Sequence, residues 1–224
     1  LGNPLNPTRL FSDGEIEQAS PQTLVWIANR LASYENISLR PSIRLALNRV
    51  LEVYPNAEGA VLEALMSLGD LAAREANLEV AIDYYSRVQE QFPTSPKAVQ
   101  AVLRQGDVLL EAGRYDLAVE KYETILKTRS WRGPAWAEAQ YKIGVCHFNQ
   151  GLFSEAHAYF ERTFLAFAQY RKWAAKAYLK DAETLLRMGA REDARNTLQE
   201  ILNTPGFEDL EVYADIQQLH QSIL

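Results

Sequence analysis

The chain has 224 residues, 47% hydrophobic and 23% charged, with a formal net charge of −6. This is an ordinary balance for a folded protein, and the negative charge argues against a dominant phosphate-binding role. One cysteine, Cys146, excludes an internal disulfide and any multi-cysteine metal site. No apolar run approaches the ~18 residues needed for a membrane-spanning helix.

Residues 1–19 hold two prolines and two glycines without a sustained period, and read as an irregular leader or the tail of a linker. The opening Leu1, in place of methionine, suggests processing or excision from something longer. Ser20-Pro21 then gives an N-cap followed by proline at the first helical position, with Leu24, Ile27, Ala28 and Leu31 at helical spacing. Asn36-Ile37-Ser38 formally matches a glycosylation acceptor but reads as a polar inter-helix turn. A second helix restarts at Pro41-Ser42, carries Ile43, Leu47, Val50 and Leu51, and ends at Tyr54-Pro55. Residues 21–55 are therefore a first, degenerate helix pair. The second pair spans 58–93, and Ser95-Pro96 caps and starts the third, 96–130. A longer basic connection over 127–133 leads to a fourth pair, 134–168, and a fifth occupies 171–204. After the break at Pro205-Gly206, residues 208–224 are amphipathic through Leu210, Tyr213, Ile216, Leu219 and Leu224. They read as a capping helix, or as half of a further repeat whose partner lies outside this chain.

These pairs share a skeleton. Gly69, Leu78, Ala81 and Tyr85 recur as Gly106, Gly113-x-Tyr115, Ala118 and Tyr122. They recur again as Gly144, Gly151-x-Phe153, Ala156 and Phe160, and more faintly as Ala182, Gly189, Ala194 and Leu198. Self-similarity at this period marks a stack of supersecondary units. Gly113 and Gly151 fall where a first helix must stop. A mid-helix glycine costs ~1 kcal/mol relative to alanine. Gly69, Gly106 and Gly144 therefore imply helices too close together for a side chain, with Ala81, Ala118, Ala156 and Ala194 as their small partners. Tyr85, Tyr122 and Phe160 fill the space between units.

The pattern resembles the tetratricopeptide repeat family over about residues 21–204, with Pro55 and Pro93 as closing prolines. The resemblance implies an all-α, right-handed solenoid of about five antiparallel helix hairpins with a C-terminal capping helix. It also implies that one face of each first helix lines a concave groove for a peptide or protein segment. Carried over, that groove takes Glu63, Met66, Asp70 and Arg74 from the second pair. The third supplies Gln100, Leu103, Asp107, Leu110 and Glu111. The fourth supplies Glu138, Tyr141, Val145, Phe148 and Asn149, and the fifth Lys176, Leu179, Glu183, Leu186 and Arg187. An apolar stripe with carboxylates beside it suits a partner with basic and apolar residues; the same leucines also suit packing between turns of the solenoid. The lysine- and asparagine-rich clamp of chaperone-binding members is absent. The junction over 91–98, QFPTSPKA, is similar to bacterial cell-envelope members, which suggests periplasm or envelope with cytoplasm as the alternative.

Twelve of the 23 aromatic residues lie within 131–178. Trp131 and Arg132, in the long connection, read as a second contact surface or as packing of that loop on its own hairpin. Cys146 sits in an apolar helix and reads as an inert thiol. His147 reads as a satisfied inter-helix histidine and His220 as exposed, while His157 lacks a third ligand for a metal pair. Carboxylate pairs Glu15/Glu17 and Glu208/Asp209 fall in solvated segments, and no phosphate loop, nucleophile elbow or zinc motif is present. The expectation is a non-catalytic interaction scaffold with no cofactor, no metal and no nucleic acid. The alternative is a structural module that self-associates through its ends or its aromatic region.

Overall fold

The structure, a computed structural model, describes residues 18–224. The irregular segment expected over 1–19 and the Glu15/Glu17 pair lie outside the described residues, apart from residues 18 and 19. Among the described residues there are helices and turns and no strand. Helices α1 (Pro21–Ala32) and α2 (Arg40–Val53) form the first hairpin, followed by α3 (Glu58–Arg74) with α4 (Leu78–Gln91). Next come α5 (Pro96–Glu111) with α6 (Tyr115–Lys127), then α7 (Pro134–Asn149) with α8 (Phe153–Ala166). The last pair is α9 (Arg171–Arg187) with α10 (Arg191–Asn203), and α11 (Tyr213–Ser222) closes the array. The fold is an all-α solenoid of stacked antiparallel helix pairs with a final capping helix.

Local chemistry sets the helix ends. The Ser20 hydroxyl accepts from the Thr23 N–H at 3.2 Å, and the Ser95 hydroxyl from the Lys97 N–H at 3.2 Å, each satisfying a donor left over at a helix start. Asn36 Oδ1 accepts from both the N–H and the hydroxyl of Ser38, so this tripeptide is the polar turn between α1 and α2. Gly113 (φ 72°) and Gly151 (φ 78°) end α5 and α7 in the left-handed region. The equivalent position after α3 is Ala76, held at φ 55°.

The chain divides into two compact units with the boundary between Ala101 and Val102, inside α5. In the first unit α1 packs on α2 and α3, α2 on α3, and α3 on α4. Leu24, Ile27, Leu39, Leu47, Leu65, Leu68 and Tyr85 are its fully buried large side chains among the described residues. In the second, α7 packs on α6, α8 and α9, α9 on α8 and α10, and α11 on α9 and α10. Its core runs from Ala156 and Phe160 through Tyr178 and Leu198 to Ile216.

The mid-helix glycines are explained by a ring laid across each. A Cβ built on Gly69 would stand 2.5 Å from Tyr85 Cε1, one on Gly106 2.4 Å from Tyr122 Cε1, and one on Gly144 2.6 Å from Phe160 Cε1. The residue after each glycine matches the ring. Asp70 accepts the Tyr85 hydroxyl at 2.7 Å and Asp107 the Tyr122 hydroxyl at 2.8 Å. Val145 follows Gly144, where Phe160 has no hydroxyl to place. A hydrogen bond to a charged acceptor contributes about 1.5–3 kcal/mol, so these pairs stabilise each hairpin beyond simple burial. Burial, and then the Asp107 charge, push the Tyr122 phenol far above its usual range.

Candidate functional site

First helices of successive hairpins lie side by side: α1 against α3 in the first unit, and α7 against α9 against α11 in the second. In the first unit Ala28, Asn29 and Ala32 of α1 face Ser67, Asp70 and Arg74 of α3 across a cleft of about 480 Å³. Arg74 is exposed and Asp70 half-buried, whereas Met66 is only 7% exposed and belongs to the core. Asn29 and its neighbours in α1 were not anticipated, because this hairpin lacks the glycine and ring that would have set its register. Glu63 is paired with Lys97, Nζ to Oε1 at 2.9 Å.

In the second unit Leu103 is 8% exposed and packs inward, while Leu110 is half-buried and Glu111 exposed at the end of α5. Tyr141, Val145, Phe148, Leu179 and Leu186 are half-buried against the core, with one side of each accessible. The Tyr141 ring lies between Phe160 (5.7 Å between centroids) and Trp173 (5.6 Å), and Phe148 meets Phe153 edge-on at 5.6 Å. Burial, and then Glu183, push the Tyr141 phenol up to about 12. Asn149 and Arg187 are exposed. Leu179 and Glu183 of α9 continue onto Asp215, Gln218 and Leu219 of α11 around a cleft of about 310 Å³.

The carboxylates here are largely engaged by lysines. Lys142 Nζ donates to Asp107 Oδ1 at 2.5 Å and lies 2.7 Å from Glu138 Oε1, and Lys180 Nζ donates to Glu183 Oε2 at 2.6 Å. Lys180 also sits 5.2 Å from the Phe148 ring centroid. Lys142, Lys172, Lys180 and Trp173 are the residues that the carried-over pattern left out. The signal for two of these positions, Lys172 and Lys180, was a lysine every fourth residue along α9 that also includes Lys176, the spacing of one helix stripe.

The second expected surface, Trp131 and Arg132, lies in the connection that leads from α6 into α7. Trp131 is half-buried in the turn Arg129–Trp131, and Arg132 stacks on Trp136 at 5.6 Å. His147 lies against the Tyr159 ring, and its buried Nδ1 has no hydrogen-bond partner among the described residues. His220 is half-buried, not exposed, and its Nε2 likewise lacks a partner among the described residues. His157 Nδ1 instead lies 2.6 Å from Oδ1 of the buried Asp181. Burial raises the Asp181 carboxyl to about 6; His157 opposes that rise and Glu161 adds to it. Burial likewise pushes the Cys146 thiol up to about 12. Among the described residues no cluster of three or more His, Cys, Asp or Glu side chains is placed to hold a metal, and no helix is long and apolar enough to cross a membrane.

The family profile described as Tetratricopeptide repeat matches residues 44–96 and 103–171. The chain belongs to the tetratricopeptide repeat family. A comparison with curated proteins found no match. Among solved structures, the apo form of RapI aligns with a TM-score of 0.72 at 12% identity, over 91% of this chain and 74% of that one. MamA from Desulfovibrio magneticus RS-1 aligns at 0.58 and 15% identity, covering 90% and 96%. YrrB, described as a TPR protein with an unusual peptide-binding site, aligns at 0.57 and 18% identity over 94% of each chain. At these identities the likeness is one of fold.

Proposed function

We propose that the chain is a non-catalytic scaffold that holds a peptide or protein segment against the first helices of its hairpins. One observation carries this reading. In the second unit, the accessible sides of Tyr141, Val145, Phe148, Leu179 and Leu186 form apolar ground on α7 and α9 with charged side chains around it. These anchors are already held by the core, so little side-chain freedom is lost on binding. The description of YrrB as having a peptide-binding site supports the same use of the fold. In the second unit Asp107, Leu110, Glu111, Asn149, Glu183 and Arg187 belong to the surrounding contacts and Leu103 supports them from beneath; in the first unit Asp70 and Arg74 line the cleft with α1, and Met66 lies in the core.

The test is a native-lysate pull-down with the intact chain beside Leu110→Glu/Tyr141→Ala/Phe148→Ala, after circular dichroism shows that the variant is folded. A protein captured by the intact chain alone, which then binds it directly when purified, supports the reading. Equal capture by both moves the site off this face.

A second reading is self-association through the first hairpin, where Ile37 is 70% exposed, Leu45 44% and Val53 46%. A mass that rises with concentration in light scattering favours it. For compartment we favour the bacterial cell envelope over cytoplasm, on the junction over 91–98; fractionation of the source cells decides between them.

A further inference from the structure

Three lysine ammonium groups surround one indole in the second unit. Lys172 Nζ is 5.1 Å from the Trp173 ring centroid, Lys176 Nζ 5.4 Å and Lys142 Nζ 5.9 Å. Cation–π attraction explains how each approaches the ring, but it does not remove their mutual repulsion. Lys142 is compensated, because Asp107 and Glu138 both bind it. The nearby guanidinium of Arg171 is also compensated, by Asp209. Lys172 and Lys176 are not: neither forms an ion pair with a carboxylate among the described residues. They stand in the first turns of α9, which has no side-chain cap and no acidic residue in its first turn, so the positive end of the helix dipole adds to their charge. Beside them lies Tyr141, whose ring meets Trp173 at 5.6 Å.

We propose that this place, between Lys172 and Lys176 on the Trp173 indole, is a subsite for an aspartate or glutamate side chain of the bound partner segment, with an apolar residue of the same segment on Tyr141. The inference rests on the groove reading above and specifies its partner. It also reverses the charge expected from the sequence, because the carboxylates on this face already have lysine partners. A carboxylate entering here meets two uncompensated ammonium groups. A basic side chain meets like charge. A nucleic-acid strand would need a run of uncompensated cations, whereas Lys142 and Lys180 on these helices are already neutralised by carboxylates, which disfavours that occupant.

The experiment uses the full chain and two fluorescein-labelled peptides of equal length and apolar content, one carrying glutamates and the other lysines. Anisotropy titrations compare wild type, Lys172→Glu/Lys176→Glu, Tyr141→Ala/Phe148→Ala, and Lys127→Ala as a control on the outer helix α6. Lys172 and Lys176 hold no structural ion pair, so their variant should fold; circular dichroism checks this. The expected result is tighter binding of the glutamate peptide by wild type, by about tenfold or more, with the preference inverted in Lys172→Glu/Lys176→Glu. Because the pair acts through charge alone, Lys172→Gln/Lys176→Gln should abolish the preference without inverting it. Preference for the lysine peptide, no binding of the glutamate peptide, or glutamate-peptide binding indifferent to the lysine variants overturns the subsite. If that indifferent binding is still lost in Tyr141→Ala/Phe148→Ala, the groove reading survives alone. If it is indifferent to both variants, the groove reading falls with it. Displacement of the glutamate peptide by inorganic phosphate, but not by acetate at equal ionic strength, would assign the place to phosphate and overturn the carboxylate assignment.

Discussion

Gly106→Ala is the most direct test of how the hairpins are packed. Alanine is the better helix former by about 1 kcal/mol, so on local propensity alone the change should stabilise α5. The structure predicts the opposite. The new Cβ would lie 2.4 Å from Tyr122 Cε1 and 2.6 Å from Cζ, both well inside contact distance. The ring cannot step aside cheaply, because Tyr122 is fully buried and its hydroxyl is tied to Asp107 at 2.8 Å. Overpacking of this kind costs about 1–3 kcal/mol. If the ring turns away, a hydrogen bond to a charged acceptor worth about 1.5–3 kcal/mol is also lost. Set against the propensity gain, the net destabilisation is about 2 kcal/mol, seen as a lower urea midpoint by circular dichroism.

Two further substitutions separate the causes. Gly59, also helical, has no atom within 4 Å of its built Cβ, so Gly59→Ala should leave the midpoint unchanged or raise it. In a Tyr122→Ala background the obstacle is gone, and Gly106→Ala should become neutral or stabilising. A Gly106→Ala protein as stable as wild type, or an equal cost with and without the Tyr122 ring, would refute the packing argument.

Three other outcomes follow from the same structure. Ala76 holds a left-handed φ of 55°, where a Cβ is strained by about 1 kcal/mol, so Ala76→Gly should raise the urea midpoint even though glycine loosens the unfolded chain. The Cys146 thiol, buried and pushed up to about 12, should react with a thiol reagent in native buffer only at the rate of opening, and at once in denaturant. Asp181 is 1% exposed and its carboxyl is raised from 3.8 to about 6, so the folded state holds that proton more tightly than the unfolded state. Its contribution to stability is therefore fully present below pH 4 and lost as pH rises through 6. At 1.36 kcal/mol per pKa unit, wild type should lose about 3 kcal/mol relative to Asp181→Asn across that window; a difference between the two midpoints that does not change with pH would contradict this.

The elements repeated most faithfully were the most legible. Gly106 with Tyr122 and Gly144 with Phe160 announced themselves because a glycine inside a helix needs a reason, and the ring four residues after an alanine supplies one. Even the Asp or Val after each glycine tracks the presence or absence of a ring hydroxyl, a correlation contained within this one chain. The first hairpin was hard to read for the converse reason: α1 has no such glycine, so nothing indicated that Asn29 and Ala32 would line the cleft with α3. The periodic pattern also cannot distinguish a side chain pointing along the cleft from one pointing under it: Met66 was expected in the groove and is buried, and Leu103, for which packing between turns stayed open, is buried too.

Charge was the least legible property, and the cause is geometric. In a stack of hairpins the nearest neighbour of a surface residue is often about one repeat away. Glu63 pairs with Lys97 at a separation of 34 positions, Asp107 with Lys142 at 35, and Asp116 with Gln150 at 34. Counting acids along each first helix therefore gives a carboxylate rim, although Asp107 already has a lysine partner on the next hairpin. A step of 35 back from Lys172 and Lys176 reaches Ala137 and Tyr141, which carry no charge, and a step of 34 reaches Glu138, already bound by Lys142, and Lys142 itself. Those two lysines are therefore left without a free acid one repeat away. The free charge of such a face is the remainder after neighbours one repeat apart have cancelled, and on α9 that remainder is positive.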